Sequence, residues 1–180
     1  YTDLYSAIRM ASIAVRSIAR VIAGWIGESN EYIENLNLFN ASMGQYAREA
    51  QTYAEKVGEL MGIDPSMWMR NQGVFMTLAT GFGVASDRAY IMSKNLTQLG
   101  YDLSSFFNIR VDDAMQKLQS GISGELEPLR RLGYDLSQAR LQAVALELGI
   151  TKSFNAMTQA EKSQLRYYAI MTQVTTAQGD

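Results

Sequence analysis

From one end of the chain to the other, apolar residues return in steps of three and four, the spacing that gathers them on one face of an α-helix rather than on alternate sides of a strand. The most regular example comes first: Leu4, Ile8, Ala11, Val15, Ile18, Ile22 and Trp25 form one unbroken seam. Such a seam needs a partner helix, supplied either by the same domain or by another chain in a coiled coil. Only two prolines, Pro65 and Pro128, stand among 180 residues, which argues against a turn-rich β-sandwich. The expected fold is all-α: a multi-helix bundle or an array of helical hairpins with Gly/Pro-punctuated turns and no sheet.

Breakers set the length of each helix. Met43, Ala47, Ala50, Ala54, Val57 and Met61 share a face, after which Gly62, Ile63, Asp64 and Pro65 supply a left-handed C′ residue, its apolar follower, an N-cap and a proline at N1. The next helix is expected over Met67 to Thr80, ended by Gly81-Phe82-Gly83, with Ser86 or Asp87 capping its successor. That successor carries Ala89, Met92, Leu96, Leu99, Leu103 and Phe106 in register through Gly100, so it is predicted to run to about Phe107. A short helix over Val111–Ser120, with Asp112 and Asp113 in its first turn, is expected to stop at Gly121. Ser137 caps a helix whose inner face is Leu141, Val144, Ala145 and Leu148, and Gly149 with Ile150 ends it. Thr158 and Glu161 form a capping box for a last helix through Leu165, Tyr168, Ala169 and Met171. The expectation is a single helical region, 1–180, with 1–62 and 65–180 as candidate sub-units. The chain opens without methionine and closes on Gln178, Gly179 and Asp180, which suggests an excerpt of a longer polypeptide.

The pentapeptide Gly-Tyr-Asp-Leu-Ser occurs twice, at Gly100–Ser104 and Gly133–Ser137. The flanks differ: the apolar seam continues through the first copy, whereas Gly133 follows the short segment opened by Gly124 and Pro128 and reads as a helix stop. The pair is therefore weak evidence for a helical repeat.

Chemistry is sparse. Histidine and cysteine are both absent, which removes disulfides, Cys/His zinc sites, thiol nucleophiles and the commonest general base. Lys plus Arg number 16 against 18 Asp plus Glu, for a net charge of −2, so the basic excess of a dedicated nucleic-acid-binding domain is missing. The paired carboxylates Asp112/Asp113 and Glu125/Glu127 read as solvated acids near helix N-termini, because neighbours in sequence do not face one another on a helix. Gly81-Phe82-Gly83 lacks the third glycine and the preceding strand of a dinucleotide-binding turn. The sequence therefore offers no catalytic, cofactor-binding or metal-ligating residue, and the expectation is a protein that is not an enzyme and needs no cofactor. Arg9, Arg16 and Arg20 lie away from the first seam and form a basic face. They also interrupt the apolar stretch Tyr1 to Gly27, leaving no run long enough to span a bilayer.

One group of strings is more distinctive than its parts. Met92-Ser93-Lys94-Asn95-Leu96-Thr97-Gln98-Leu99, Asp102-Leu103-Ser104-Ser105-Phe106 with Asn108-Ile109, Leu118-Gln119-Ser120-Gly121, Gly124-Glu125-Leu126-Glu127-Pro128-Leu129-Arg130, Glu161-Lys162 with Leu165-Arg166-Tyr167, and Ala177-Gln178-Gly179-Asp180 together resemble the tail tape measure proteins of bacteriophages and prophages. Tyr32 with Asn35-Leu36-Asn37-Leu38-Phe39 and Met43-Gly44 is similar to the upstream part of the same region, so the resemblance covers roughly residues 30 to 180. It implies a structural function: a long helical chain that occupies the tail lumen, sets tail length during assembly and leaves when DNA is ejected. It implies tail tube and other tail assembly proteins as partners, a homo-oligomer, no sequence-specific nucleic acid, and membrane contact only during ejection. The implied location is the virion tail, and the host cytoplasm during assembly. The chain departs from a whole tape measure in being far shorter, and its Gly and Pro stops suit a segment that folds back on itself beside the ruler portion. The family supplies no catalytic motif to carry over. The alternative reading from the residues alone is a non-enzymatic helical protein-binding module that uses the Leu4–Trp25 seam.

Overall fold

The structure, a computed structural model, describes residues 43–176. All regular structure among them is helical: α1 (Met43–Met61), α2 (Pro65–Gly81), α3 (Ser86–Phe107), α4 (Val111–Ser123), α5 (Glu127–Arg130), α6 (Gln138–Glu147), a 3-10 turn (Phe154–Ala156) and α7 (Gln159–Thr176). The all-α expectation holds.

The turns follow the capping chemistry closely at three places. Between α1 and α2, Gly62 has φ 69°, and Asp64 Oδ1 accepts from the Ser66 N–H at 2.9 Å with Pro65 opening the helix behind it. At α6, Ser137 Oγ accepts from the Arg140 N–H at 3.3 Å, and Gly149, at φ 78°, closes the far end. At α7 the Thr158 N–H donates to Glu161 Oε1 at 3.0 Å while the Glu161 N–H donates to Thr158 Oγ1 at 3.1 Å. These bonds satisfy helix-end N–H groups that have no partner within the helix.

Three boundaries differ from expectation. α2 begins at Pro65, two residues before Met67, because a proline at N1 already has helical φ and no N–H to lose. α3 is preceded by Ala85, and no side chain caps it; Ser86 and Asp87 lie inside its first turn. α4 continues past Gly121 to Ser123 and ends at Gly124, whose φ is 100°. Gly121 stays helical because the side chain of Leu129 fills the space that its missing Cβ leaves. Glycine therefore acts as a stop at 124 and as a packing site at 121.

α3 is the centre of the fold. α2 packs along it, α4 crosses it where Gly100 leaves room for Met115 and Leu118, and α1 closes over α2. Its seam residues Ala89, Met92, Leu96, Leu99 and Leu103 are all buried, in one core with Leu118, Ile122 and Leu129 and with Leu165, Ala169 and Ile170 of α7. A side chain such as Leu96 or Leu99, fully withdrawn from water, contributes about 2 kcal/mol. A smaller cluster, Ala54, Val57 and Trp68, joins α1 to α2. The α6 face follows its pattern: Leu141, Val144 and Ala145 are buried and Leu148 is partly covered.

Candidate interaction surface

Burying the indole of Trp68, which is 0% exposed, obliges its N–H to find an acceptor. It donates to Gln72 Oε1 at 3.1 Å, Gln72 Nε2 donates to Ser93 Oγ at 3.3 Å, and Ser93 Oγ donates to the Tyr90 carbonyl at 2.8 Å. This chain of bonds fixes α2 against α3. Around it lies an aromatic ladder. Tyr101 stacks on Trp68 with centroids 5.6 Å apart, Tyr53 tilts against the same indole at 5.8 Å, and Tyr46 stacks on Tyr90 at 4.6 Å. The Lys94 ammonium sits 4.1 Å from the Tyr53 ring centroid and 5.6 Å from that of Tyr90, a cation–π contact. Burial lowers the Lys94 pKa, opposed by Glu49, while burial, aided by the Glu49 charge, pushes the Tyr90 hydroxyl up to about 12. The ladder joins α1, α2 and α3.

Among the described residues, two acids are buried. Glu161 is held by Lys152 Nζ at 2.7 Å as well as by the capping box. Asp102, on α3, is 3% exposed and neither carboxylate oxygen has a hydrogen-bond partner. Burial pushes its pKa up to about 7. The acids of the two sequence pairs, by contrast, are all exposed: Asp112 and Asp113 in the first turn of α4, Glu125 in the following turn, and Glu127 facing Arg130 and Arg131 at 3.7 and 3.8 Å. Among the described residues no group of three or more acids is placed to hold a metal ion, and no helix is long and apolar enough to cross a membrane.

Two recesses lie among the described residues. One, of about 390 Å³, lies between α4 and α5 and is lined by Asp113, Lys117, Glu127 and Arg131 with Ile109 and Pro128; its charges are mixed and solvated. The other, an open groove of about 520 Å³, runs along the outer face of α2 past Arg70, Gly73, Val74, Thr77 and Leu78, with Gln119 of α4 at its edge. Arg70 is the one charged residue in the whole of α2. Met67 and Val74 are exposed on this helix, and Leu60 stands 61% exposed at the end of α1. A weakly charged outer helix face is a surface suited to another helix rather than to solvent. The sequence signal for it was the near absence of charge from Pro65 to Gly81, which periodicity alone passes over.

The Leu4, Ile8, Ala11, Val15, Ile18, Ile22 and Trp25 seam and the Arg9, Arg16 and Arg20 face lie outside the described residues, as does Ala177–Asp180. Compared with protein-family models, with curated proteins and with solved structures, the chain matches none.

Proposed function

We propose that the chain is a non-enzymatic structural segment of a bacteriophage or prophage tail tape measure protein. The observation that carries this reading is the set of strings that resembles that family. It is supported by where those strings fall: Met92–Leu99 on α3, Leu118–Gly121 on α4, Gly124–Arg130 across the turn into α5, and Glu161–Tyr167 on α7. Most of their apolar members, Met92, Leu96, Leu99, Leu118, Leu129, Leu165 and Tyr167, meet in one core, while Leu126 is exposed. A shared core is a reason for such strings to keep company in a chain. Helices of at most 22 residues among the described residues, about 33 Å long, further support a folded segment beside the ruler portion.

The test is an immunoblot of sedimented tailed particles from the source cells with antibody raised against this chain. The expected result is a band far heavier than the 20.0 kDa of these residues, co-sedimenting with tails. A soluble band near that mass, absent from particles, would reject the reading in favour of a helical protein-binding module. The open α2 groove favours that second reading, and the Leu4–Trp25 seam is its other candidate surface.

A further inference from the structure

The outer face of α2 reads the same from either end. Met67, Arg70, Val74, Thr77 and Thr80 are exposed along it, with half-buried Gly73 beside Val74. Matching 67 with 80, 70 with 77 and 73 with 74 takes this set onto itself. A two-fold interface imposes that condition, because each residue must meet its mate in the other copy and the mate must meet it in return. Other outer faces are charged: α1 exposes Arg48, Glu49, Glu55, Lys56 and Glu59, and α4 exposes Asp112 and Asp113.

Gly73 and Val74 put a hollow beside a knob. A Cβ at Gly73 would meet nothing within 4 Å, so the backbone there is open to close approach. Val74 is 42% exposed, an apolar side chain beside the open groove of about 520 Å³. With two α2 helices antiparallel, each Val74 enters the hollow at the other copy's Gly73, the interdigitation by which helices pack. Charge selects this direction. Arg70 is the one charged residue of α2, and a parallel pair in register would lay Arg70 against Arg70. The antiparallel pair sets each guanidinium opposite the uncharged Thr77 hydroxyl and holds the two arginines about 10 Å apart along the axis, a separation at which salt screens them.

We propose that this face pairs two copies of the chain in solution, the α2 helices antiparallel about a two-fold axis between Gly73 and Val74. The pairing is weak. A helix of 17 residues, about 26 Å long and 10 Å wide, covers on the order of 300 Å², against roughly 800 Å² per partner in a stable complex. Dilute chain is therefore monomeric, and the dimer forms as concentration rises. The proposal concerns the chain in solution and stands independently of the tail reading.

Two measurements on the full 180-residue chain test it. Sedimentation velocity over a dilution series should take the wild type from 20.0 kDa toward twice that mass, while Val74→Arg, which brings a cation onto the axis, stays monomeric throughout. The chain has no cysteine, so single cysteines report the register. On mild oxidation Val74→Cys should form a disulfide dimer by itself, whereas Arg70→Cys and Thr77→Cys should link only when mixed. A wild type that is monomeric at every concentration overturns the proposal and leaves the groove to a different partner. A dimer that survives Val74→Arg overturns it too, and its loss in Ile18→Asp would assign the association to the Leu4–Trp25 seam. Arg70→Cys chains that link to one another overturn the antiparallel register. Should Val74→Arg not fold, the cysteine pattern decides alone.

Discussion

Gly73 and Gly121 both occupy helix interiors, and the same substitution should act on them with opposite sign. A Cβ at Gly73 meets nothing within 4 Å, so Gly73→Ala gains helix propensity and should raise stability by about 0.5–1 kcal/mol. A Cβ at Gly121 collides with Leu129 Cδ1 and sits 3.4 Å from Ile170 Cδ1. Both neighbours are fully buried, so overpacking outweighs propensity, and Gly121→Ala should destabilise by about 1–2 kcal/mol. Urea unfolding of the two variants measures both; equal shifts in the same direction would contradict the packing account. Gly73 also lines the α2 groove, so Gly73→Leu, which fills the groove and keeps most of the propensity gain, should abolish binding of any partner that uses it without lowering the melting temperature.

At the scale of the element, α7 depends on the chemistry of its first turn. Glu161 is 1% exposed, its Oε2 has no partner, and its Oε1 serves both Lys152 and the Thr158 N–H. Lys152→Ala removes the countercharge and leaves a carboxylate buried, with an expected cost of about 2–3 kcal/mol. Thr158→Ala removes one cap acceptor, at about 1 kcal/mol. Thermal or urea melts of the two variants rank them, and a Lys152→Ala variant no weaker than Thr158→Ala would show that the ion pair is worth no more than an exposed one. Such local chemistry was legible in the sequence. The Thr158–Glu161 box, the Gly62–Pro65 stop and the Ser137 cap are short-range patterns, and short-range bonds satisfy them in the fold. The end of α4 was not legible, because whether Gly121 stops a helix depends on Leu129, which reaches it from the next element.

For the whole molecule, helix lengths set what the segment would contribute to a tail under the proposed tape measure function. Run as a continuous helix, residues 43–176 would span about 200 Å, yet they fold back on α3 into one main core. If the tape measure reading is correct, an in-frame deletion of 43–176 from the parent protein should shorten tails by far less than 200 Å in electron micrographs. Shortening by the full amount would mean that these residues run extended inside the tail. The interaction surface was partly legible at this scale. The Leu4–Trp25 seam is plain in the sequence, but the α2 groove emerges only when α4 is laid beside α2 and Gln119 reaches its edge.

The pentapeptide Gly-Tyr-Asp-Leu-Ser separates the two sources of information. Five identical residues adopt two backbones. Gly100 lies within α3 under Met115, whereas Gly133 has φ 96° in a turn. Tyr101 stacks on Trp68, whereas Tyr134 is buried within reach of the Asp102 charge. Asp102 is buried without a hydrogen bond, whereas Asp135 is exposed and accepts from the Ser137 N–H at 3.0 Å. The flanking apolar spacing already distinguished a continued helix from a stop, because helix propagation and capping are decided within a few residues. The helical class, the main breaks and the caps were therefore set by the sequence itself. Which aspartate is taken from water, which glycine is pressed by a neighbour and which helix face stays open were decided by tertiary packing, since each depends on residues distant in the chain and adjacent only once α3 has gathered the other helices around it.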